Sequence, residues 1–144
     1  MEVKRYSDQY AEDIKRLVQE FQAESLAEYG MTYNDEALNQ QIDALKHSAF
    51  IVEIDGHAQG ILAGKEVYTP SGNDKVWHEV IWYMNENYRR YGLKLLAYGK
   101  EELKKEGFTH LVMVYMHNSK SDKLYDLYTR LGLTAMETNF IGRL

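Results

Sequence analysis

The stretch Val76-Trp77-His78-Glu79-Val80-Ile81-Trp82-Tyr83-Met84, running on through Tyr88-Arg89-Arg90-Tyr91-Gly92-Leu93-Lys94, decides the fold. Its first part is a run of β-branched and aromatic residues and reads as a strand. From Tyr91 the period changes, because Leu93, Leu96, Lys100 and Leu103 recur at helical spacing. Gly107 then supplies a left-handed cap. The apolar, valine-containing run Leu111 to Met116 suits a buried strand parallel to the first across that helical crossover. A strand, a helix and a parallel strand thus follow one another, with a basic, glycine-containing turn where the helix begins.

Working outward, Thr69-Pro70-Ser71-Gly72-Asn73-Asp74 is the clearest loop and holds the only proline. Before it, Ala49 to Ile54 and Ala58 to Val67 flank Asp55-Gly56, a pair suited to the positive backbone angles of a tight hairpin. Further back, Val3 to Tyr6 reads as a first strand. Ser7 or Asp8 caps a helix with Tyr10, Ile14, Leu17, Val18 and Phe21 on one face. A second helix starts at Asn34, with Asp35 and Glu36 at its positive end and Leu38, Ile42 and Leu45 as its stripe. Beyond Met116, the residues Leu124, Leu127, Tyr128 and Leu131 define a last helix stopped by Gly132, and a strand pair is expected up to Phe140 to Arg143. The order predicts an α/β domain over residues 1–144 with helices on both faces of a mixed sheet.

Composition bounds the function. The 144 residues, 44% hydrophobic, suit one domain with a core of its own. No cysteine is present, so disulfides, thiolate metal sites and a thiol nucleophile are excluded, in keeping with a reducing cytoplasm. No apolar run approaches membrane-spanning length, and the start lacks a signal-peptide pattern. The 22 acidic against 17 basic residues oppose general attraction to nucleic acid or anionic membrane. An anionic ligand therefore needs a local basic site.

The segment Tyr88 to Lys94 provides one. It resembles the acyl-CoA pyrophosphate loop of the GNAT acyltransferases, whose pattern is Arg or Gln, two residues, Gly, any residue, then Gly or Ala. Arg89 and Gly92 match, and Lys94 departs from the final small position. Physically, such a turn brings backbone N–H groups onto two phosphates at a helix N-terminus, where glycine permits close approach. A second resemblance lies in Tyr128-Thr129-Arg130-Leu131-Gly132-Leu133, similar to the late-helix signature of the same superfamily, with Leu133 in place of the usual Phe.

The resemblance implies a GNAT-like, mostly antiparallel twisted sheet of about six to seven strands with a splayed central pair. It implies direct acetyl transfer from acetyl-CoA, as co-substrate and with no metal, to a primary amine of a small molecule or peptide. The donor would meet Met84, Arg89, Arg90, Tyr91, Gly92, Leu93 and Lys94, with Asn118, Ser121 and Tyr125 as further contacts; a backbone N–H near Met84 would polarise the carbonyl. Tyr128 matches the tyrosine that protonates the departing sulfur, with Tyr125 one turn earlier as its substitute. His78 and Glu79, on opposite faces of the strand, are the candidate bases. The acceptor would lie near Glu24 to Tyr33, where Glu24, Glu28, Tyr29 and Tyr33 suit a cationic amine. The remaining histidines, His47, His57, His110 and His117, show no metal-ligand spacing. Dimers are common in the superfamily. Two other classes stay open: a GNAT-like donor-binding module without turnover, suggested by Lys94, and a nucleic-acid-associated protein using Arg89-Arg90 and Lys104-Lys105, which the acidic total opposes.

Overall fold

The computed structural model describes residues 1–118 and 121–144, with the side chain of Ser121 also outside the described residues. Its elements are β1 (Glu2–Arg5), α1 (Ala11–Phe21), α2 (Asp35–Leu45), β2 (Ala49–Ile54), β3 (His57–Val67), β4 (Val76–Met84), α3 (Gly92–Lys105), β5 (His110–Val112) and α4 (Ser121–Arg130). The strands form one sheet in sequence order, antiparallel from β1 to β4 and parallel between β4 and β5.

Local chemistry sets most boundaries. The β2–β3 hairpin turns on Asp55 and Gly56, both with positive φ (52° and 83°). Asn34 caps α2 by accepting from the Ala37 N–H at 2.8 Å. Helices α3 and α4 are followed by left-handed Gly107 (φ 90°) and Gly132 (φ 84°). Ahead of α1 the chain makes a 3-10 turn over Asp8–Tyr10, and Ser7 occupies the cap position without a side-chain bond.

The core has two halves. Tyr10, just ahead of α1, and Ile14 and Leu17 of α1 pack against Ala49, Ile51, Ile61, Ile81 and Tyr83 on one face of the sheet. Leu95, Leu96 and Leu103 of α3 pack against Phe50, Val52, Leu62, Trp77 and Met84 on the other. Gly99 allows that second contact, since a Cβ there would sit 2.8 Å from Leu62 Cδ2.

A bulge in β4 decides which side chains reach which half. Ala63 pairs with Ile81 and Gly64 with Glu79, so Val80 is an extra residue. Trp77 before it and Ile81 and Tyr83 after it share parity along the strand yet face opposite halves of the core. Gly64, opposite the bulge, is required by close approach: a Cβ would meet His78 O at 2.4 Å and the Trp77 ring at 2.5 Å.

Three expectations are corrected. The sheet has five strands among the described residues instead of six or seven: residues 131–144 contain no strand, and Phe140 is 95% exposed. The three residues of β5 leave little edge for a further pair to add to. The apolar run expected to be a strand to Met116 is regular only from His110 to Val112, after which it parts from β4. On α3 the buried face is Leu95, Leu96, Gly99 and Leu103, and Leu93 is exposed.

Candidate functional site

Strands β4 and β5 are paired only over Val76–His78 and His110–Val112. Beyond that rung β4 runs on to Met84 while the chain after Val112 diverges, and a cleft of about 220 Å³ opens by the end of β4. Its walls come from four elements. β4 gives Trp82, Tyr83 and Met84; the turn into α3 gives Arg89 and Gly92; α4 gives Lys123, Leu124 and Leu127. The fourth wall is Phe21, Glu24 and Ser25, where α1 runs into a π-helical turn over Gln22–Leu26. Such a turn inserts a residue into the helix and re-aims those after it.

The basic turn stands at the mouth. Tyr88 breaks the 3-10 segment Glu86–Tyr91 with φ −125°, and α3 then begins at Gly92 with ordinary helical angles, φ −58° and ψ −38°. The Gly92 N–H already donates to the Arg89 carbonyl. Side chains must therefore supply part of any anion recognition at this turn. Arg89 lines the cleft and pairs with Glu24 at 3.4 Å. Arg90 donates to Asn87 O at 2.7 Å and lies over the Tyr91 ring, 4.5 Å from its centroid. Lys94 is exposed and makes no ion pair among the described residues, so the side chain that breaks the family pattern points away from the turn's packed side. Leu93 is likewise exposed.

Glycine at 92 is not demanded by the protein's own packing. A Cβ there would lie 3.5 Å from Met84 Cγ and 3.7 Å from Trp82, ordinary contacts, and the backbone is helical. It would point among residues that line the cleft.

Tyr128 is not among the lining residues; it is buried beside Trp82, which is, with ring centroids 6.2 Å apart and planes 29° apart. Its hydroxyl donates to Val114 O at 2.9 Å, and burial together with nearby Glu79 pushes its pKa above the ordinary tyrosine value. Glu79 is 7% exposed and accepts from the Val114 N–H at 3.3 Å. Burial raises its carboxyl to about 8 against that hydrogen bond, which favours the ionised form. His78 belongs to the paired part of β4, opposite Lys65 and Val112, and its Nδ1 lies 2.9 Å from Glu79 O.

On the opposite wall two carboxylates share Tyr83, Glu24 lining the cleft and Glu20 outside its lining. Tyr83 Oη lies 3.2 Å from Glu20 and 3.1 Å from Glu24. One hydroxyl carries one proton, so it serves only one of the two carboxylates at a time. Burial and both carboxylates raise the Tyr83 pKa. Arg16 meets Glu20 at 3.3 Å and Arg89 meets Glu24. Sequence reading named Glu24 here and missed Glu20, Tyr83, Trp82 and Lys123; for the last, the helical spacing of Lys123, Leu124 and Leu127 was the available signal.

Other candidates lie aside. Asn118 donates to Ser25 O at 3.1 Å and Glu28 at 2.6 Å, tying the chain after β5 to the α1–α2 connection. Tyr125 is half exposed and packs edge-on to Tyr115. The contact expected of Ser121 falls outside the described residues. Tyr29 and Tyr33 do not line the cleft; Tyr33 instead donates to Asp35 at 2.8 Å. No group of three or more potential metal ligands occurs among the described residues.

A mixed sheet whose parallel pair splays beside a basic turn at a helix start is an architecture that this chain shares with solved acetyltransferases. The sequence model of the acetyltransferase (GNAT) family matches residues 14–133, and the chain belongs to that family. Solved structures with the same fold include aminoglycoside acetyltransferase AAC(6')-Iy bound to a CoA-S-monomethyl-acetylneamine bisubstrate analogue. It is 14% identical, with 99% of this chain and 97% of that one covered and a TM-score of 0.75. Another is an aminoglycoside acetyltransferase from an uncultured soil metagenomic sample, at 16% identity, 99% and 97% coverage and TM-score 0.74. A third is a ribosomal-protein-alanine N-acetyltransferase from Brucella melitensis biovar Abortus 2308, at 13% identity, full coverage of both chains and TM-score 0.72. No curated protein sequence is similar enough to count as a relative.

Proposed function

We propose that the protein is a cytoplasmic N-acetyltransferase that moves the acetyl group of acetyl-CoA to the primary amine of a small molecule or peptide carrying positive charge. The parting of β4 from β5 beside Arg89 and Gly92 carries this reading. It leaves a β4 edge free to pair with the amides of the donor's pantetheine arm, with the donor's phosphates toward the basic turn. Arg89 holds those phosphates, and the missing side chain at Gly92 gives them room. AAC(6')-Iy was solved with a CoA-linked bisubstrate analogue, which supports the same class of donor here.

The acceptor enters by Glu24 and Tyr83: Glu20 keeps its pairing with Arg16, while Glu24 is left to partner a cationic amine when Arg89 turns to the donor's phosphates. Its uncharged amine attacks the thioester carbonyl, the carbon–sulfur bond breaks, and the thiolate leaves. Tyr128, protonated at neutral pH, releases the Val114 carbonyl to pass its proton to the thiolate and is reprotonated through water by the proton that the nitrogen loses. The acetylated nitrogen loses a proton to water or to the wall carboxylates. His78 sits in the paired part of the strand, Glu79 is bonded to Val114 and neither lines the cleft, so the base's role does not fall to β4.

The test is acetyl-CoA-dependent thiol release across a panel of mono-, di- and polyamines, including aminoglycosides and basic peptides. Turnover is expected with cationic amines. Arg89→Ala should raise the Kd for CoA first, while Tyr128→Phe should lower kcat by about 10²-fold or more. CoA binding with no turnover on any amine would refute the proposal.

A further inference from the structure

The β4–β5 ladder stops abruptly, and what stops it is visible. The His110 N–H donates to Lys75 O at 3.3 Å, so His110 turns its backbone polar groups toward β4. Groups alternate along a strand with period two. Val112 and then Val114 are the next residues to face β4, and Val112 stands opposite His78 in the last rung. Val114 would make the following rung. Both of its backbone groups are instead taken by side chains: its N–H by Glu79 at 3.3 Å and its C=O by Tyr128 at 2.9 Å. Glu79 and Tyr128 are 7% and 8% exposed, so water is a poor competitor for either bond.

We propose that Glu79 is a positioning residue: by capturing the Val114 N–H it ends the β4–β5 ladder and holds open the slot that takes the donor, with Tyr128 securing the Val114 carbonyl. The proposal rests on the donor-site reading above. An N–H of a half-buried residue left without a partner is costly, and the acceptor a continued ladder would offer is the Glu79 carbonyl, which His78 Nδ1 approaches at 2.9 Å and which has a second lone pair to give. Without the Glu79 carboxyl, Val114 gains by bonding to that carbonyl. The ladder then extends into the slot. A protonated carboxyl and an amide both retain an accepting oxygen, so holding Val114 does not require a charge on Glu79. A catalytic base does require an ionisable group.

Three proteins separate these roles: wild type, Glu79→Gln, which keeps an acceptor, and Glu79→Met, which keeps bulk and loses it. We expect Glu79→Gln to retain CoA affinity and kcat within about threefold of wild type. Glu79→Met should raise the Kd for CoA tenfold or more by calorimetry. Hydrogen exchange should find the Val114 amide protected in wild type and Glu79→Gln. Loss of turnover by 10²-fold in Glu79→Gln at unchanged CoA affinity would overturn the proposal and make Glu79 the base. Unchanged CoA affinity in a folded Glu79→Met would overturn it as well. If Glu79→Met does not fold, fast exchange of the Val114 amide in wild type still refutes the bond on which the idea stands. Wild type that fails to bind CoA refutes the donor-site reading alone, because the exchange measurement needs no ligand.

Discussion

Replacing Gly92 by alanine separates what this residue does for the fold from what it does for a ligand. Within a helix, glycine costs up to about 1 kcal/mol relative to alanine. The added methyl would meet Met84 Cγ at 3.5 Å and Trp82 at 3.7 and 4.0 Å, contacts at ordinary distances, and φ of −58° suits alanine. The variant should therefore be as stable as wild type or more so, by up to about 1 kcal/mol, which is a few degrees in Tm for a chain of this size. The same methyl points among cleft-lining residues, where phosphates would approach the turn, and should weaken CoA binding by about tenfold, roughly 1.4 kcal/mol. Thermal unfolding with and without millimolar CoA, paired with calorimetry, reads both effects. Wild type at ~100 times its Kd should gain about 2.7 kcal/mol from ligand, and the variant correspondingly less. A folded, more stable Gly92→Ala with unchanged CoA affinity would refute the reasoning, and so would a large loss of stability without ligand.

Gly64→Ala should behave in the opposite way, losing about 2 to 3 kcal/mol or more in denaturant unfolding, because its methyl would strike backbone at His78. Glu24→Gln releases Arg89 from its ion pair. It should tighten CoA binding by no more than about fivefold, as suits a partly exposed pair, while raising the KM of cationic amines; weaker CoA binding would contradict the pairing. Stability should also depend on pH through Glu79. A carboxyl raised from 4.5 to about 8 on folding holds its proton more tightly in the folded state, so the folded protein is favoured at low pH. Stability from this group should fall as pH climbs from about 4.5 to about 8. Glu79→Gln should flatten that part of the profile in urea titrations, and an unchanged slope would show that the carboxyl does not titrate there.

Local signals were legible because neighbouring residues determine them. Asp55-Gly56 adopts its turn through its own backbone preferences, and Asn34 caps α2 through a bond three residues away. The basic turn was legible for a similar reason, since Arg89 and Gly92 sit in one short segment. Features set by distant partners were not. Nothing in Glu79-Val80-Ile81 marks a bulge, because the extra residue is defined by the strand opposite. Leu93 and Leu95 are chemically alike, and only the docking angle of α3 exposes the first and buries the second. Tyr83 joins Glu20 and Glu24 across about sixty positions of sequence, with separations of 63 and 59. Periodicity shows that each lies on an element and cannot show that they meet.

The extra residue at Val80 also makes the length of β4 a form of addressing. Strict alternation counted from Trp77 would put Ile81 and Tyr83 on the face of Trp77; the spare residue shifts the count by one, so Ile81 and Tyr83 face α1 while Trp82 and Met84 face α3. Deleting Val80 would leave Glu79 opposite Gly64 and Ile81 opposite Ala63, a regular ladder with every later side chain on its present face. In this strand the spare residue is slack: a single deletion there is absorbed, and the addresses of the cleft residues survive it.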